Sequence, residues 1–270
     1  MIKIYSRIRS WAVSAHWVLS EQLGLDPLRF IRACRGIPLF LRDLIEFKKS
    51  YTGPLSLTPC FGDRFASAGA YHSEYFWQDL LVAKLIADLK PIRHVDIGSR
   101  LDGFVAHVAA FREIEVFDIR PIQIDIPSII FKQADLMSEM QEISDGVYCD
   151  SVSCLHALEH FGLGRYGDNL QSEGYIVGLK NIARLLQPGG ICYLSLPIGR
   201  QRVKFNANWV FRPETILNIA SLNGLKFDSL KVITASGPQP DINDQEIVKN
   251  YDSSEDRLGL FCFIKIANNL

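Results

Sequence analysis

The sequence predicts an α/β fold, a doubly wound and mainly parallel sheet preceded by a helical N-terminal extension. From Arg93 onward, short strand-like runs alternate with apolar-periodic stretches of about ten residues, the pattern of βαβ units. One of those strands, His94-Val95-Asp96-Ile97, runs into Gly98 and a helical stretch opens at Gly103, the strand–turn–helix of a nucleotide crevice. The first fifty residues stand apart by charge. They carry nine basic residues (Lys3, Arg7, Arg9, Arg29, Arg32, Arg35, Arg42, Lys48, Lys49) against four acids (Glu21, Asp26, Asp43, Glu46).

Taken in order, Ile4, Ile8, Trp11, Ala15 and Val18 fall at three- and four-residue spacing on one helical face. A second helical pattern spans Leu39 to Phe47. Basic amphipathic helices can lie on anionic membranes or meet a protein partner. They can equally cap a domain with the basic face in water, and amphipathicity alone mostly reports a buried face. Gly53, Pro54, Pro59, Gly62 and Gly69 make residues 51–69 a loop, so the chain divides into an extension at 1–68 and a domain at 69–270.

Within that domain Tyr75–Leu89 reads as a helix, Arg93–Ile97 as a strand and Gly103–Phe111 as an apolar helix. Strands follow at Ile114–Asp118, weakly at Ile129–Phe131, and at Tyr148–Leu155. Then come a helix at Tyr175–Leu186, a strand at Gly190–Leu196, a helix at Pro213–Asn223, and strands at Phe227–Ile233 and Leu258–Ile266.

Composition narrows the function. With 48% apolar and 22% charged residues the chain can bury a core. A net charge of −1 supplies no field for nucleic acid, which leaves a small-molecule partner. The six cysteines (34, 60, 149, 154, 192, 262) form no CxxC pair, so no zinc site is expected and reduced thiols are. No uninterrupted apolar run of about 20 residues and no clean signal segment occur, so a cytoplasmic protein is expected, with the basic helices offering contact with the inner membrane face.

The cofactor site is expected at Asp96, Gly98, Ser99, Arg100 and Gly103, where glycine lets a ligand approach bare backbone. Asp118 closes the next strand twenty residues after Gly98, the place for an acid on ribose hydroxyls, with Ile119 beside it. Capping the turn before Arg120-Pro121 is the alternative for Asp118. Asp135, with Leu136, suits an adenine amino group or an N-cap.

The segment Leu185-Leu186-Gln187-Pro188-Gly189-Gly190, leading into Ile191–Pro197, resembles the turn before the fifth strand of class I (Rossmann-like) S-adenosylmethionine-dependent methyltransferases. The run Asp150–His160, ending Leu158-Glu159-His160, resembles their fourth-strand motif. The resemblance, covering about Asp96 to Pro197, implies S-adenosylmethionine as cofactor, contact of His156 with it, and an antiparallel strand at the end of the sheet. The chain departs from the superfamily's D-x-G-x-G-x-G loop by placing Arg100 and Asp102 at the later glycine positions.

The strings Arg93–Arg100, Asp102–Val108, Phe111–Pro121 and Ser153–Asp168 further resemble a methyltransferase-like domain-of-unknown-function family first noted in nematodes. Its bacterial members are associated with surface-polysaccharide gene clusters. That resemblance implies a sugar or glycan-precursor acceptor and supplies no catalytic residues.

For the chemistry, the loop after the fourth strand offers His156, Glu159, His160, Arg165, Tyr166 and Asp168 within thirteen residues. An imidazole is near half-poised at neutral pH, so His160 is the first candidate base and His156 the second, with Glu159 orienting His160 or facing solvent. Arg165, Tyr166, Arg200, Arg202, Asn206 and Asn208 suit a phosphorylated sugar or form a solvated basic loop. No metal-ligand set is read, since His156 and His160 lack a third ligand. The rival functions are a non-catalytic scaffold in glycan assembly, favoured by Arg100 and Asp102, and an NAD-dependent nucleotide-sugar oxidoreductase, disfavoured by the Pro-Gly-Gly turn.

Overall fold

The computed structural model describes residues 15–66, 69, 73–123, 125–138, 148–251 and 255–267. It separates into two compact units, Met1–Ala70 and Tyr71–Leu270.

The first unit is built on α1 (Pro27–Ser50). Asp26 caps it, its carboxylate accepting from the Arg29 amide at 2.9 Å, and Pro27 takes the first-turn position where no N–H is missed. The helix expected at Leu39–Phe47 is thus part of a much longer one. It runs on through Pro38, which removes one backbone hydrogen bond and crowds the preceding turn. Residues 55–64 fold back on α1: a Cβ on Gly36 would lie 1.9 Å from the Phe61 carbonyl oxygen, Phe40 and Phe61 meet edge-on at 5.5 Å, and Arg64 reaches Asp43 at 2.5 Å. Of the more N-terminal stripe, Ala15 and Val18 are in helical turns, whereas Ile4, Ile8 and Trp11 lie outside the described residues.

In the second unit, α2 (Glu74–Leu89) is capped by Ser73 and ended by left-handed Lys90. There follow β1 (His94–Ile97), a wide turn at Leu101–Val105 leading into α3 (Ala106–Ala109), β2 (Ile114–Asp118), β3 (Ile129–Gln133) and β4 (Cys149–Leu155). Next are α4 (Gly174–Leu185), β5 (Leu186–Ile198), a hairpin of β6 (Arg202–Lys204) and β7 (Asn208–Val210), and α5 (Pro213–Leu222). The chain finishes with β8 (Leu225–Thr234), β9 (Gly237–Pro238), α6 (Gln245–Lys249) and β10 (Arg257–Lys265). The expected elements are all present, within a few residues of their expected ends.

The sheet order is β3-β2-β1-β4-β5-β10-β8-β9. β3 through β5 are parallel, and β10 runs antiparallel between β5 and β8. Both faces are covered, which is why β1 and β4 are buried along nearly their whole length rather than alternating. One side packs Val82, Ile86, Phe104 and Val108 onto Ile114, Val116 and Leu260. The other packs Leu179, Ile182, Ile216 and Leu217 onto Val95, Ile97, Val152 and Phe261. The chain leaves β1 towards β3 on one side and returns through β4 on the other. The crevice at the carboxyl ends of β1 and β4 is therefore the place where an open α/β sheet receives a ligand.

Two elements differ from expectation. β5 starts at Leu186, because the chain pairs with Cys149 before the Pro188-Gly189-Gly190 turn and regains register after it. The basic stretch after β5, for which no strand was expected, is the β6–β7 hairpin, with Asn206 left-handed (φ 62°) in its turn.

Candidate functional site

The turn after β1 is held from beneath. Asp96 is fully buried and accepts from the Ser99 amide at 3.0 Å, the Ser99 hydroxyl at 2.8 Å and the Ser153 hydroxyl at 2.6 Å. Burial pushes its carboxyl up to about 7, against the pull of those donors. Behind it His94 bonds Ser151 and Ser153 at 2.8 and 3.1 Å, and burial brings its imidazole down to about 3. Asp96 and Ser99, expected at the cofactor, are thus turned to each other and brace the loop. Gly98 (φ 71°) is at the surface of the crevice, and a Cβ there would stand 3.0 Å from that of Ala157. Arg100 pairs with Asp102 at 2.7 Å, both about 70% exposed, and the two atypical loop residues line an open cavity of about 450 Å³ together with Asp118, Arg120 and Tyr166. Gly103 sits against Asp79 of α2, its carbonyl accepting from His107 at 2.7 Å.

Beside Gly98 lies a cavity of about 60 Å³. Ile97, Phe117, Ile119, Leu136, Met137 and Phe161 give it an apolar lining, and Asp118, Asp135, His156, His160 and Tyr166 supply its polar groups. Both expected acids are engaged locally. Asp118 binds the Arg120 guanidinium at 3.0 and 2.5 Å and the Arg120 amide at 2.8 Å. Asp135 accepts from the Met137 amide at 2.8 Å and the Ser138 hydroxyl at 3.0 Å. The turn-capping alternative is therefore realised at both, while both still face the cavity. Arg120 also lies over the Tyr166 ring, 4.6 Å from its centre.

The loop after β4 holds the titratable cluster. Glu159 is fully buried, and His156 donates through Nδ1 to its Oε1 at 2.6 Å. Burial opposes charge on Glu159, yet the neighbouring His156 holds its carboxyl below the usual range. Glu159 therefore orients His156, not His160, whose Nε2 is 3.8 Å away. His160 instead directs Nδ1 to the Ala207 carbonyl at 2.6 Å, and burial lowers its pKa. His156 has a left-handed backbone (φ 53°), stacks on Tyr75 at 4.5 Å, and leaves Nε2 buried without a partner, as does Glu159 its Oε2.

Asp168 gathers the amides of Gly162, Gly164 and Tyr166 at 2.9, 3.1 and 3.2 Å, building the loop from which Arg165 and Tyr166 project. Arg165 crosses to the β6–β7 turn, donating to the Ala207 carbonyl at 3.0 Å. Of the hairpin residues expected at a substrate, Arg202 is taken up by Asp256 at 2.6 and 2.5 Å, a partner 54 positions away that no local pattern reveals. Asn208 donates to the Trp209 carbonyl at 2.8 Å, and Asn206 shapes the turn. Arg200 is exposed. α2 adds two contacts that were not expected from the sequence: Tyr75 on His156, and Gln78, buried, accepting from Ser195. The polar pair Gln78-Asp79 inside an apolar helical stretch was the available signal.

With a parallel sheet, its switch point at β1 and β4, and one antiparallel strand between β5 and β8, the second unit has a Rossmann-like α/β fold. The chain belongs to the family described as Caenorhabditis protein of unknown function, DUF268, whose model matches residues 114–253. Among solved structures it is similar to the [4+2]-cyclase SpnF (15% identity, 70% of this chain and 82% of that one, TM-score 0.50). It is also similar to a TehB-like SAM-dependent methyltransferase from Corynebacterium glutamicum (18%, 70% and 88%, TM-score 0.46). A third is the N-methyltransferase NodS from Bradyrhizobium japonicum (13%, 70% and 97%, TM-score 0.44). No curated protein matches. A cyclase among these structures illustrates that a shared fold does not fix the reaction.

Proposed function

We propose that the Tyr71–Leu270 unit is an S-adenosylmethionine-dependent methyltransferase acting on a small polar acceptor, with His156 as its general base. The observation that carries this reading is the buried His156–Glu159 pair. His156 lines the cavity at the sheet's carboxyl edge and leaves Nε2 without a partner, and Glu159 behind it leaves Oε2 likewise. A buried polar group without a partner costs about 1–3 kcal/mol, and a ligand that satisfies it recovers that cost.

The residues fit the cofactor. Ile119 and Leu136 would give an adenine ring apolar neighbours, Asp135 would offer an acceptor to its amino group, Asp118 would accept from ribose hydroxyls, and Gly98 leaves backbone bare. When bound, S-adenosylmethionine supplies an electrophilic methyl group, whose bond to sulfur breaks as the bond to the acceptor oxygen forms. Glu159 fixes the His156 tautomer with its proton on Nδ1, so the bare Nε2 takes the acceptor's hydroxyl proton. Tyr75 fixes the ring plane. Tyr166 in the cavity lining and Arg165 next to it in the same loop suit a sugar or glycan precursor, of the kind used in surface-polysaccharide assembly. The free cysteines suit a reducing compartment, the cytoplasm.

A second reading, a scaffold without turnover, is favoured by the Asp118–Arg120 pair and the small cavity. The oxidoreductase reading is not retained, because the dinucleotide-binding order is wholly parallel where this sheet inserts β10. Isothermal titration with S-adenosylmethionine, S-adenosylhomocysteine, NAD and NADH tests the proposal. Micromolar binding of the first two alone supports it; binding of none leaves the scaffold.

A further inference from the structure

We propose that the Met1–Ala70 unit docks on an anionic lipid surface through one face of α1. On this helix Phe30, Cys34, Ile37, Leu41 and Ile45 recur every three or four residues and are all exposed, forming a single apolar stripe that Ile31 and Pro38 widen. This is not the face α1 uses within its own unit, where Gly36, Phe40, Asp43 and Leu44 turn to residues 55–64. The preceding turns add exposed Trp17, Leu19, Leu23 and Leu25.

Charge decides what covers the stripe. α1 carries six basic residues (Arg29, Arg32, Arg35, Arg42, Lys48, Lys49) against Asp43 and Glu46. Both acids are already neutralised, Asp43 by Arg42 and Arg64 and Glu46 by Lys49. Arg35 on the flank of the stripe and Lys48 in line with it have no carboxylate partner among the described residues. A second copy of the helix laid on this face would bring two cationic surfaces together, whereas an anionic headgroup layer complements both the stripe and its rim. The helix would lie in the interface and not cross it, since no helix among the described residues is long and apolar enough to span a membrane. Twenty-four residues give a contact about 36 Å long. This inference is independent of the methyltransferase reading.

The test is flotation of the full chain with vesicles of phosphatidylcholine, alone and with phosphatidylserine. The chain is expected to float only with phosphatidylserine and to be released by salt, which screens the headgroup attraction. Arg35→Gln with Lys48→Gln should weaken partitioning about fivefold per charge removed. Ile37→Glu with Leu41→Glu should abolish it while circular dichroism stays native. The proposal is overturned if the unaltered chain ignores both vesicles, or if the Arg35→Gln with Lys48→Gln variant floats as well as the unaltered chain. It is equally overturned if the chain sediments as a dimer that Ile37→Glu with Leu41→Glu dissociates, which assigns the stripe to a second copy.

Discussion

Arg120 grips Asp118 with its guanidinium and its own amide, two positions along the chain, and the same guanidinium lies on Tyr166 from the loop after β4. The acid that ends β2 is thereby tied to the roof of the cavity. A carboxylate offers about four acceptor directions, so a ribose can share Asp118, but only in competition with a charge-assisted bond. Asp118→Ala is expected to weaken S-adenosylmethionine binding by about 1–3 kcal/mol. Arg120→Gln, which frees the carboxylate, is expected to tighten it. Titration of both variants decides: if Arg120→Gln weakens binding as much as Asp118→Ala, Arg120 holds the ligand itself and does not merely occupy the acid.

The two histidines of the β4 loop are separable by their hydrogen bonds. His156 has Glu159 behind it and a free Nε2, whereas His160 spends Nδ1 on a backbone carbonyl that ties the β6–β7 turn to the loop. Once an acceptor is in hand, His156→Ala should cut kcat by about a hundred- to ten-thousandfold while sparing cofactor affinity. Glu159→Gln should follow it, because the amide cannot fix the required tautomer. His160→Ala should mainly raise KM. The reverse ranking of the histidines returns the base to His160.

These contrasts show where sequence sufficed. The parallel sheet and its glycine turn were legible because β-branched runs and Gly98 act locally, each within a few residues of its neighbours. The partner of Glu159 was not: His156 and His160 lie three and one residues away, and only the left-handed backbone at His156 turns its ring onto the carboxylate. Arg202 was read as a ligand group because Asp256, which neutralises it, arrives from the start of β10. Tyr75 likewise meets His156 from a helix 81 positions earlier in the chain. Strand identity is written in short windows; the pairing of polar side chains is written in the assembled sheet.

Beneath the glycine turn, Asp96 and His94 share Ser153 and should give opposing pH dependences. Asp96 holds its proton more tightly folded than unfolded, with a carboxyl raised by burial from 3.8 to about 7. Across that window the native state binds more protons, and stability falls as pH rises. His94 is lowered by burial from 6.5 to about 3, so the unfolded chain binds the proton and stability rises with pH over that range. Each slope is at most about 1.4 kcal/mol per pH unit, and they overlap between about 4 and 6.5. Asp96→Asn should leave the rising slope uncovered and make the protein more acid-sensitive. His94→Asn should do the opposite. Urea midpoints measured across the pH series check both, and a profile unchanged by Asp96→Asn rejects the buried-acid account.

Gly98 and Gly189 carry the same kind of backbone strain in different surroundings, which lets conformation be separated from site geometry. Both are left-handed, at φ 71° and 83°, so alanine at either costs about 1–2 kcal/mol. A Cβ on Gly189, in the turn early in β5, meets nothing within 4 Å. A Cβ on Gly98 meets Ala157 at 3.0 Å, and Ala157 immediately follows His156, so relief of that contact displaces the segment carrying the base. Gly189→Ala should therefore lower the thermal midpoint and leave S-adenosylmethionine affinity intact. Gly98→Ala should lower the midpoint by somewhat more and lose affinity out of proportion to its stability. Paired melting and titration curves make the comparison. Equal affinity in the two variants would mean that the Gly98 turn is needed for folding alone and that the ligand approaches the sheet elsewhere.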